Sequence, residues 1–164
     1  MNIVFQKAGV GELDEIFEIY TAAIRLMDSQ GIYQWDEIYP DKNILSEDIK
    51  KGELFVGRSE SMIVSAYAIS DEFDDGYKNG KWEFDCFQVI HRLCVSPEFQ
   101  GIGVGEATVR HIEKSLSEKG VKSIRLDAFT QNTKAVKVYN RLGYKTVGFA
   151  DFRKGKFILM EKPI

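Results

Sequence analysis

The sequence predicts a mixed α/β fold of the α+β kind, in which about four helices flank a sheet of six or seven strands. Three patterns support this prediction. Apolar residues recur at helical spacing between Leu13 and Met27. Two apolar runs, residues 53–59 and 62–70, are separated by two residues only, which is typical of a β-hairpin. A third apolar run, residues 87–95, leads into a glycine-rich turn and then into a second helical pattern.

The first half of the chain reads as strand, helix, loop, helix and hairpin. Residues 2–7 form the first strand, and acidic residues then begin the long amphipathic helix, where the helix dipole favours negative charge. The aromatic and acidic segment 31–40 has no period and is predicted as a loop or irregular helix. Residues 44–51 form a short second helix. The polar residues 71–85, which follow the hairpin, are predicted as a long loop between strands.

The second half adds four strands and two helices. The strands are predicted at residues 87–95, 123–129, 145–149 and 156–160, the last two as an antiparallel pair. One helix follows the glycine turn and stops at Gly120, since glycine is preferred just past a helix end. The other is capped by Asn132 or Thr133, whose side chains can accept a hydrogen bond from the first turn.

The composition is that of one globular domain spanning residues 1–164. Hydrophobic residues make up 44% and charged residues 29% of the chain, values typical of folded proteins. No apolar run approaches the roughly 20 residues that a membrane span needs, and the N-terminus does not resemble a signal peptide. Cys86 and Cys94 have neither zinc nor redox spacing, and Cys94 reads as a small buried hydrophobe. These features predict a cytoplasmic protein without a metal site.

Charge is unevenly distributed along the chain, although the net charge is only −3. Residues 1–99 contain 9 basic and 19 acidic residues, whereas residues 100–164 contain 13 basic and 6 acidic residues. The basic part suits a polyanionic ligand. The acidic part either attracts a cationic substrate or carries its charges on solvated faces, and both interpretations stay open. Nucleic acid is disfavoured, because there is no basic run with interleaved aromatic residues.

The turn Gln100-Gly101-Ile102-Gly103-Val104-Gly105 predicts a phosphate site. Without Cβ atoms, the main chain lets a ligand approach its amides closely, and the N-terminus of the following helix attracts anions. The spacing does not match the dinucleotide fingerprint G-x-G-x-x-G, although Asp127 would be a candidate for its acidic partner. No Gly-Lys-Ser/Thr follows, so a P-loop is excluded as well. The alternative is a tight turn whose glycines serve packing alone.

Two segments carry a resemblance to a known family. The first is Gln-x-x-Gly-x-Gly at residues 100–105, and the second is Asn-x-x-Ala-x-x-x-Tyr at residues 132–139, followed by Leu-Gly-Tyr at 142–144. Together they resemble the CoA-contacting segments of the GCN5-related N-acetyltransferase (GNAT) family. The resemblance covers residues 89–149. It implies a mostly antiparallel sheet that splays open between its fourth and fifth strands, where acetyl-CoA enters as co-substrate.

The resemblance assigns the cofactor contacts to three groups of residues. Amides of the glycine turn would hold the pyrophosphate, the end of the fourth strand would lie along the pantetheine arm, and the helix after the fifth strand would orient CoA. In chain order these residues are Leu93, Cys94, Val95, Gln100, Gly101, Ile102, Gly103, Val104, Gly105, Glu106, Asn132 and Ala135. A backbone N–H of the fourth strand would then face the thioester oxygen.

Tyr139 is predicted to protonate the departing thiolate, because the matching tyrosine of the family lies near the CoA sulfur. A phenol with a reference pKa of about 10 holds a proton at neutral pH. The alternative is a core aromatic residue. The glutamate that some family members use as base corresponds to Val89 here. His91, two residues on and on the same face of a regular strand, is therefore the candidate base or relay, with a structural histidine as the alternative.

Trp35 and Gln34 are predicted to contact the acceptor, since they precede the second helix, which helps to wall the acceptor site in this family. An aromatic, acidic segment suits an amine, and a Trp that fills the core is the equal alternative. The predicted function is acetyl transfer from acetyl-CoA to a primary amine of a small molecule or peptide, without nucleic-acid or membrane partners. Dimers are common among similar proteins, so a homodimer is one option, and the oligomeric state stays open. Two alternatives stay open: another acyl donor or a hydroxyl acceptor, and a non-catalytic acyl-CoA-binding or sensor domain.

Overall fold

The computed structural model describes all residues of the chain, Met1–Ile164, and has a mixed α/β fold. Its strands are β1 (Val4–Lys7), β2 (Leu54–Ser59), β3 (Met62–Ser70), β4 (Phe87–Val95), β5 (Ser123–Phe129), β6 (Lys145–Phe152) and β7 (Gly155–Pro163). Its helices are α1 (Leu13–Ser29), α2 (Lys42–Lys50), α3 (Val104–Glu118) and α4 (Thr133–Arg141). The strands form one open sheet in the order β1-β2-β3-β4-β5-β7-β6. The predicted fold class is confirmed.

The sheet is mostly antiparallel. Strands β1 and β2, β2 and β3, β5 and β7, and β6 and β7 pair antiparallel. Strands β4 and β5 pair in parallel, with Phe87 opposite Ser123 and Val89 opposite Arg125. The chain between β4 and β5 contains α3, as a parallel connection requires. Splaying of the sheet beside β4 stays a prediction.

The chain divides into two compact units. The first unit contains residues 1–69 and 91–108, and the second contains residues 70–90 and 109–164. The prediction of a single domain over residues 1–164 stays a prediction. No helix combines the length and hydropathy that crossing a membrane requires.

The core of the first unit lies between α1 and the β2–β3 hairpin. The apolar face of α1 buries Ile16, Tyr20 and Ala23, as its helical period predicts. These residues pack with Leu54 and Val56 of β2, which are fully buried. Burial of this face, rather than helix propensity, is the main stabilisation of such a helix.

The second unit is built on β5, β7 and β6. Strand β7 pairs with β5 from Ser123↔Pro163 to Phe129↔Phe157 and with β6 on its other side, so it is central in this unit. Its residues Leu159 and Met160 are fully buried. The predicted strands 145–149 and 156–160 extend over residues 145–152 and 155–163 in the structure. Pairing between β6 and β7 continues to the tight turn that joins them, and β7 stays paired with β5 as far as Pro163.

The predicted loop 71–85 contains a 3₁₀-helix at Asp75–Asn79 and covers the edge of the sheet. Strand β6 is last in the strand order, and Lys81 N donates to Val147 O at 2.8 Å. The Asn79 side chain donates to Phe149 O at 3.1 Å. An open strand edge invites pairing with other chains, so these contacts give part of the loop a structural purpose that its polar composition did not indicate.

Candidate functional site

The glycine turn between β4 and α3 has the conformation that glycine permits and other residues avoid. Gly101 and Gly103 have φ angles of +79° and +91°. Nothing lies within 4 Å of a Cβ placed on either residue. The protein therefore leaves space beside both glycines, and packing does not require them. Gly105 is different, because a Cβ there would make an ordinary contact of 3.5 Å with Val95.

The start of α3 is fixed on the first unit. The Thr108 hydroxyl bonds to Val104 O at 2.8 Å and to the Ser65 hydroxyl at 3.0 Å, and both Thr108 and Ser65 are fully buried. Ala107 N donates to Gly103 O at 3.0 Å, a helical hydrogen bond. The amides that precede Ala107 belong to the first turn, where a helix offers no backbone acceptors of its own.

Gln100 closes the turn onto the end of β4. Its side-chain amide donates to Val95 O at 3.1 Å, while Ile102 at the tip is exposed. The turn thus combines a rigid attachment, unfilled space and the positive end of a helix dipole. Such an arrangement can bind the diphosphate of a nucleotide-like ligand, so the residues present fit the predicted cofactor.

Strand β4 departs from regular geometry at Arg92, whose φ is +53°. A left-handed non-glycine residue costs about 1–2 kcal/mol and is uncommon in proteins. Leu93 and Val95, the predicted pantetheine neighbours, are half-buried, as is His91. Cys94 is 3% exposed and packs in the core. Burial raises the pKa of its thiol to about 12, so Cys94 is a thiol at neutral pH and unsuited to act as a nucleophile.

The second predicted segment lies in the second unit and begins α4. Asn132 is the N-cap, since its side-chain oxygen accepts from Ala135 N at 3.2 Å. Of the two predicted caps, Asn132 is confirmed. Tyr139 is 9% exposed, and its ring meets that of Tyr144 edge-on, with centroids 5.6 Å apart. Burial raises the pKa of Tyr139, and the Asp127 carboxylate raises it further. The phenol therefore stays protonated well above neutral pH.

Comparison with known proteins identifies the family. The profile of the Acetyltransferase (GNAT) family matches residues 13–144, most of the chain. The chain belongs to the GNAT family.

Relatives and solved structures agree with this assignment. This GNAT chain is 30% identical to the spermine/spermidine N(1)-acetyltransferase of Bacillus subtilis (strain 168) over 96 residues, 58% of this chain and 59% of the relative. The match thus spans less than two thirds of that relative. A GNAT-family acetyltransferase from Streptococcus agalactiae 2603 superposes with a TM-score of 0.86 at 23% identity, covering 99% of this chain and 95% of the other.

A third similar protein is the PaiA N-acetyltransferase of Thermoplasma acidophilum, which was crystallised in complex with coenzyme A. Its TM-score is 0.75 at 18% identity, and the alignment covers 100% of both chains. At such identities the two structural likenesses show a common fold.

The residues predicted to contact the acceptor are found in the first unit. Trp35 is 8% exposed, belongs to the hydrophobic core and lies 5.6 Å from the Tyr20 ring, centroid to centroid. Gln34 is half-buried. The packing of Trp35 fits the interpretation as a core residue, and a contact of either side chain with the acceptor stays a prediction.

Two features of this GNAT chain were not recognised in the sequence. The Arg92 guanidinium forms a two-point ion pair with Asp48 of α2, with N–O distances of 3.0 and 2.9 Å. In the second unit, the Tyr77 hydroxyl donates to Asp127 Oδ2 at 2.7 Å. Each contact joins residues 44 or more positions apart in the chain, so no local pattern indicates them.

Proposed function

We propose that this GNAT chain is an acetyl-CoA-dependent N-acetyltransferase that acts on a primary amine. The observation that carries the proposal is the open glycine turn at the start of α3 in a member of this family. Gly101 and Gly103 leave space beside their main chain where a Cβ would project. The amides of residues 101–106 would hold the diphosphate of CoA, with Gln100 keeping the turn attached to β4.

The reaction forms a bond between the amine nitrogen and the thioester carbonyl carbon and breaks the carbon–sulfur bond. The amine loses a proton, and the sulfur of CoA gains one. A backbone N–H among Leu93–Val95 would stabilise negative charge on the carbonyl oxygen, a type of donor whose loss typically costs about 10²–10³ in rate. Bound acetyl-CoA supplies the activated acyl group.

Tyr139 would protonate the leaving sulfur. The raised pKa of its phenol supports this role in one respect, since the donor keeps its proton over the physiological range. The same shift makes the phenol a weaker acid, so Tyr139 would first donate a hydrogen bond to the sulfur as charge develops there and would then pass its proton to the sulfur as the carbon–sulfur bond breaks. His91 would accept the proton of the amine, directly or through water, because Val89 occupies the position of the family's glutamate.

The acceptor we propose is a cationic small-molecule amine of the polyamine type. Relatives in Bacillus subtilis bear the names spermine/spermidine N(1)-acetyltransferase and probable spermine N(1)-acetyltransferase. The excess of acidic residues in positions 1–99 would attract such a polycation. A cytoplasmic location and a homodimer stay predictions.

The test measures free thiol released from acetyl-CoA in the presence of spermidine, spermine, lysine, a peptide with a free N-terminus and a hydroxyl acceptor. We expect thiol release to depend on the amine and to exceed the hydrolysis blank, with the highest rate for the polyamines. Calorimetry with CoA runs in parallel. CoA binding without acceptor-dependent thiol for any acceptor would refute the enzyme and support the acyl-CoA-binding alternative, whereas turnover with other amines alone would refute only the polyamine assignment.

A further inference from the structure

Arg92 is held in its left-handed conformation from several directions. The hydroxyl of Tyr20, a fully buried residue of α1, donates to Arg92 O at 2.6 Å. Arg92 Nε and Nη2 donate to the two oxygens of Asp48, and Nη1 donates to the Tyr39 hydroxyl at 3.0 Å. We call these residues, Tyr20, Tyr39, Asp48 and Arg92, the β4 clamp. All four belong to the first unit.

The β4 clamp is an inefficient way to stabilise a fold, because it combines a buried ion pair with backbone strain. The side chains of Arg92 and Asp48 are only 13% and 9% exposed, and the desolvation of a buried ion pair offsets much of its attraction. A regular strand, or glycine at position 92, would avoid the backbone strain. Strain of this kind persists where surrounding contacts over-determine it, and it is concentrated at functional sites. The residue that follows the strained position is Leu93.

We propose that the β4 clamp sets the direction of the Leu93 amide, and so aims a β4 donor at the carbonyl oxygen of the acyl donor. The inference rests on the proposed function, which places the thioester beside Leu93–Val95. The φ and ψ angles of Arg92 orient the peptide plane that carries the Leu93 N–H, and relaxation of Arg92 to an extended conformation would turn this N–H away. Tyr20, Asp48 and Arg92 are therefore positioning residues, which act through the main chain.

The first experiment removes one hydrogen bond of the clamp. Tyr20→Phe deletes the hydroxyl that holds Arg92 O and retains the buried ring. We expect kcat with the best amine to fall about 2- to 10-fold, the range that one net hydrogen bond provides, with KM for acetyl-CoA changed less than twofold. Tyr67→Phe is the matched control, because Tyr67 is a buried tyrosine of the same unit whose ring stacks on Phe55. It should leave kcat unchanged.

The second experiment asks whether the left-handed conformation itself matters. Asp48→Asn/Arg92→Gly and Asp48→Asn/Arg92→Ala both remove the ion pair without leaving a buried charge. Glycine adopts positive φ without the steric penalty of alanine. The kcat of the glycine variant should therefore be about 5- to 30-fold higher than that of the alanine variant. A purely stabilising clamp predicts equal kcat per folded enzyme for the two variants, because they would then differ in stability alone.

The outcomes separate this inference from the proposed function. A wild-type protein without acceptor-dependent thiol release contradicts the proposed function, and this inference with it. An active wild type whose Tyr20→Phe variant keeps full kcat, or loses kcat no more than Tyr67→Phe, overturns the clamp alone. If the double variants do not fold, Tyr20→Phe decides. In protein labelled with ¹⁵N-leucine, the Leu93 amide resonance should shift in Tyr20→Phe and stay in place in Tyr67→Phe.

Discussion

Tyr139 illustrates how position changes the chemistry of a single side chain. A solvated phenol has a pKa of about 10, and burial together with the Asp127 carboxylate raises the pKa of Tyr139. The Tyr77 hydroxyl holds Asp127 through a 2.7 Å hydrogen bond. The environment thus keeps Tyr139 as a neutral hydrogen-bond donor, the form that a leaving thiolate needs.

Replacement of Tyr139 by phenylalanine tests this role. Tyr139→Phe keeps the ring and its contact with Tyr144, so the fold and the affinity for acetyl-CoA should change little. We expect kcat to fall by about 100-fold or more, the usual scale for loss of a general acid. Steady-state kinetics and calorimetry with CoA measure the two quantities. Tyr144→Phe is the control, and equal losses of kcat and CoA affinity in Tyr139→Phe would make Tyr139 a structural residue.

At the scale of elements, the glycine turn and the helix α3 together form the proposed phosphate site. The turn supplies amides at positive φ, and the buried Thr108 fixes the helix that follows. The same helix, α3, ends at Glu118 and is followed by Gly120, whose φ is +84° and whose Cβ position is also open. Two glycines with similar φ angles, Gly103 and Gly120, therefore flank α3, and only Gly103 lies at the proposed diphosphate site.

Gly103→Asp and Gly120→Asp form a matched pair. Both variants place the same side chain at positive φ and should lose similar stability, about 1 kcal/mol. Only Gly103→Asp puts a carboxylate where the diphosphate would lie, so its CoA affinity should fall at least about 100-fold. Calorimetry with CoA and thermal unfolding measure both effects. Undiminished CoA affinity in folded Gly103→Asp would remove the turn from the site.

Strand β6 shows how an element can depend on a loop distant in sequence. Its register shifts between Thr146 and Gly148, where the segment around Asn79 lies against it. A Cβ on Gly148 would be 2.6 Å from Asn79 O and 3.1 Å from Gly80 Cα, both main-chain atoms. Because the clash would be with main-chain atoms, neither β6 nor the segment around Asn79 can easily move away from it.

We therefore expect Gly148→Ala to destabilise the protein by about 1–3 kcal/mol, the usual cost of overpacking. Denaturant unfolding measures the change. Gly11→Ala is the control, because nothing lies within 4 Å of its Cβ position, and it should be neutral or slightly stabilising. A Gly148→Ala variant as stable as wild type would show that the loop yields easily.

The whole molecule buries several tyrosines in both units. Burial raises the pKa of Tyr20 and Tyr67 in the first unit and of Tyr139 and Tyr144 in the second. In the unfolded chain these phenols ionise near pH 10. Their folded pKa values are higher, so above pH 10 the unfolded state binds fewer protons than the native state.

Stability should therefore be independent of these tyrosines below about pH 9 and should fall as pH rises above about 10. Each such tyrosine contributes up to about 1.4 kcal/mol per pH unit. Denaturant unfolding between pH 8 and 11 measures the slope. Tyr67→Phe should reduce it, whereas Gly11→Ala, which removes no phenol, should not. A free energy of unfolding that stays constant up to pH 11 would contradict the expectation.

Local patterns predicted most of the elements. Strands β4 and β5 have the predicted bounds, because apolar and β-branched runs between turn residues are a short-range signal. The Asn132 cap and the glycine turn are likewise local, since capping and positive φ depend on a few neighbouring residues. The prediction was incomplete where pairing partners extend a strand, as in β6 and β7, and where a polar loop folds into the 3₁₀-helix that carries Tyr77.

The sequence by itself therefore determined the α/β class and the order of the elements, and it predicted a phosphate site at the turn. Each of these inferences uses only the spacing of apolar residues and the conformational freedom of glycine within a few neighbouring positions. Only the tertiary structure decided that Arg92 leaves the regular strand conformation and that Asp127 faces Tyr77. These features depend on partners 44 to 72 positions away in the chain. Strain and electrostatic coupling arise from such distant contacts, which no local pattern encodes.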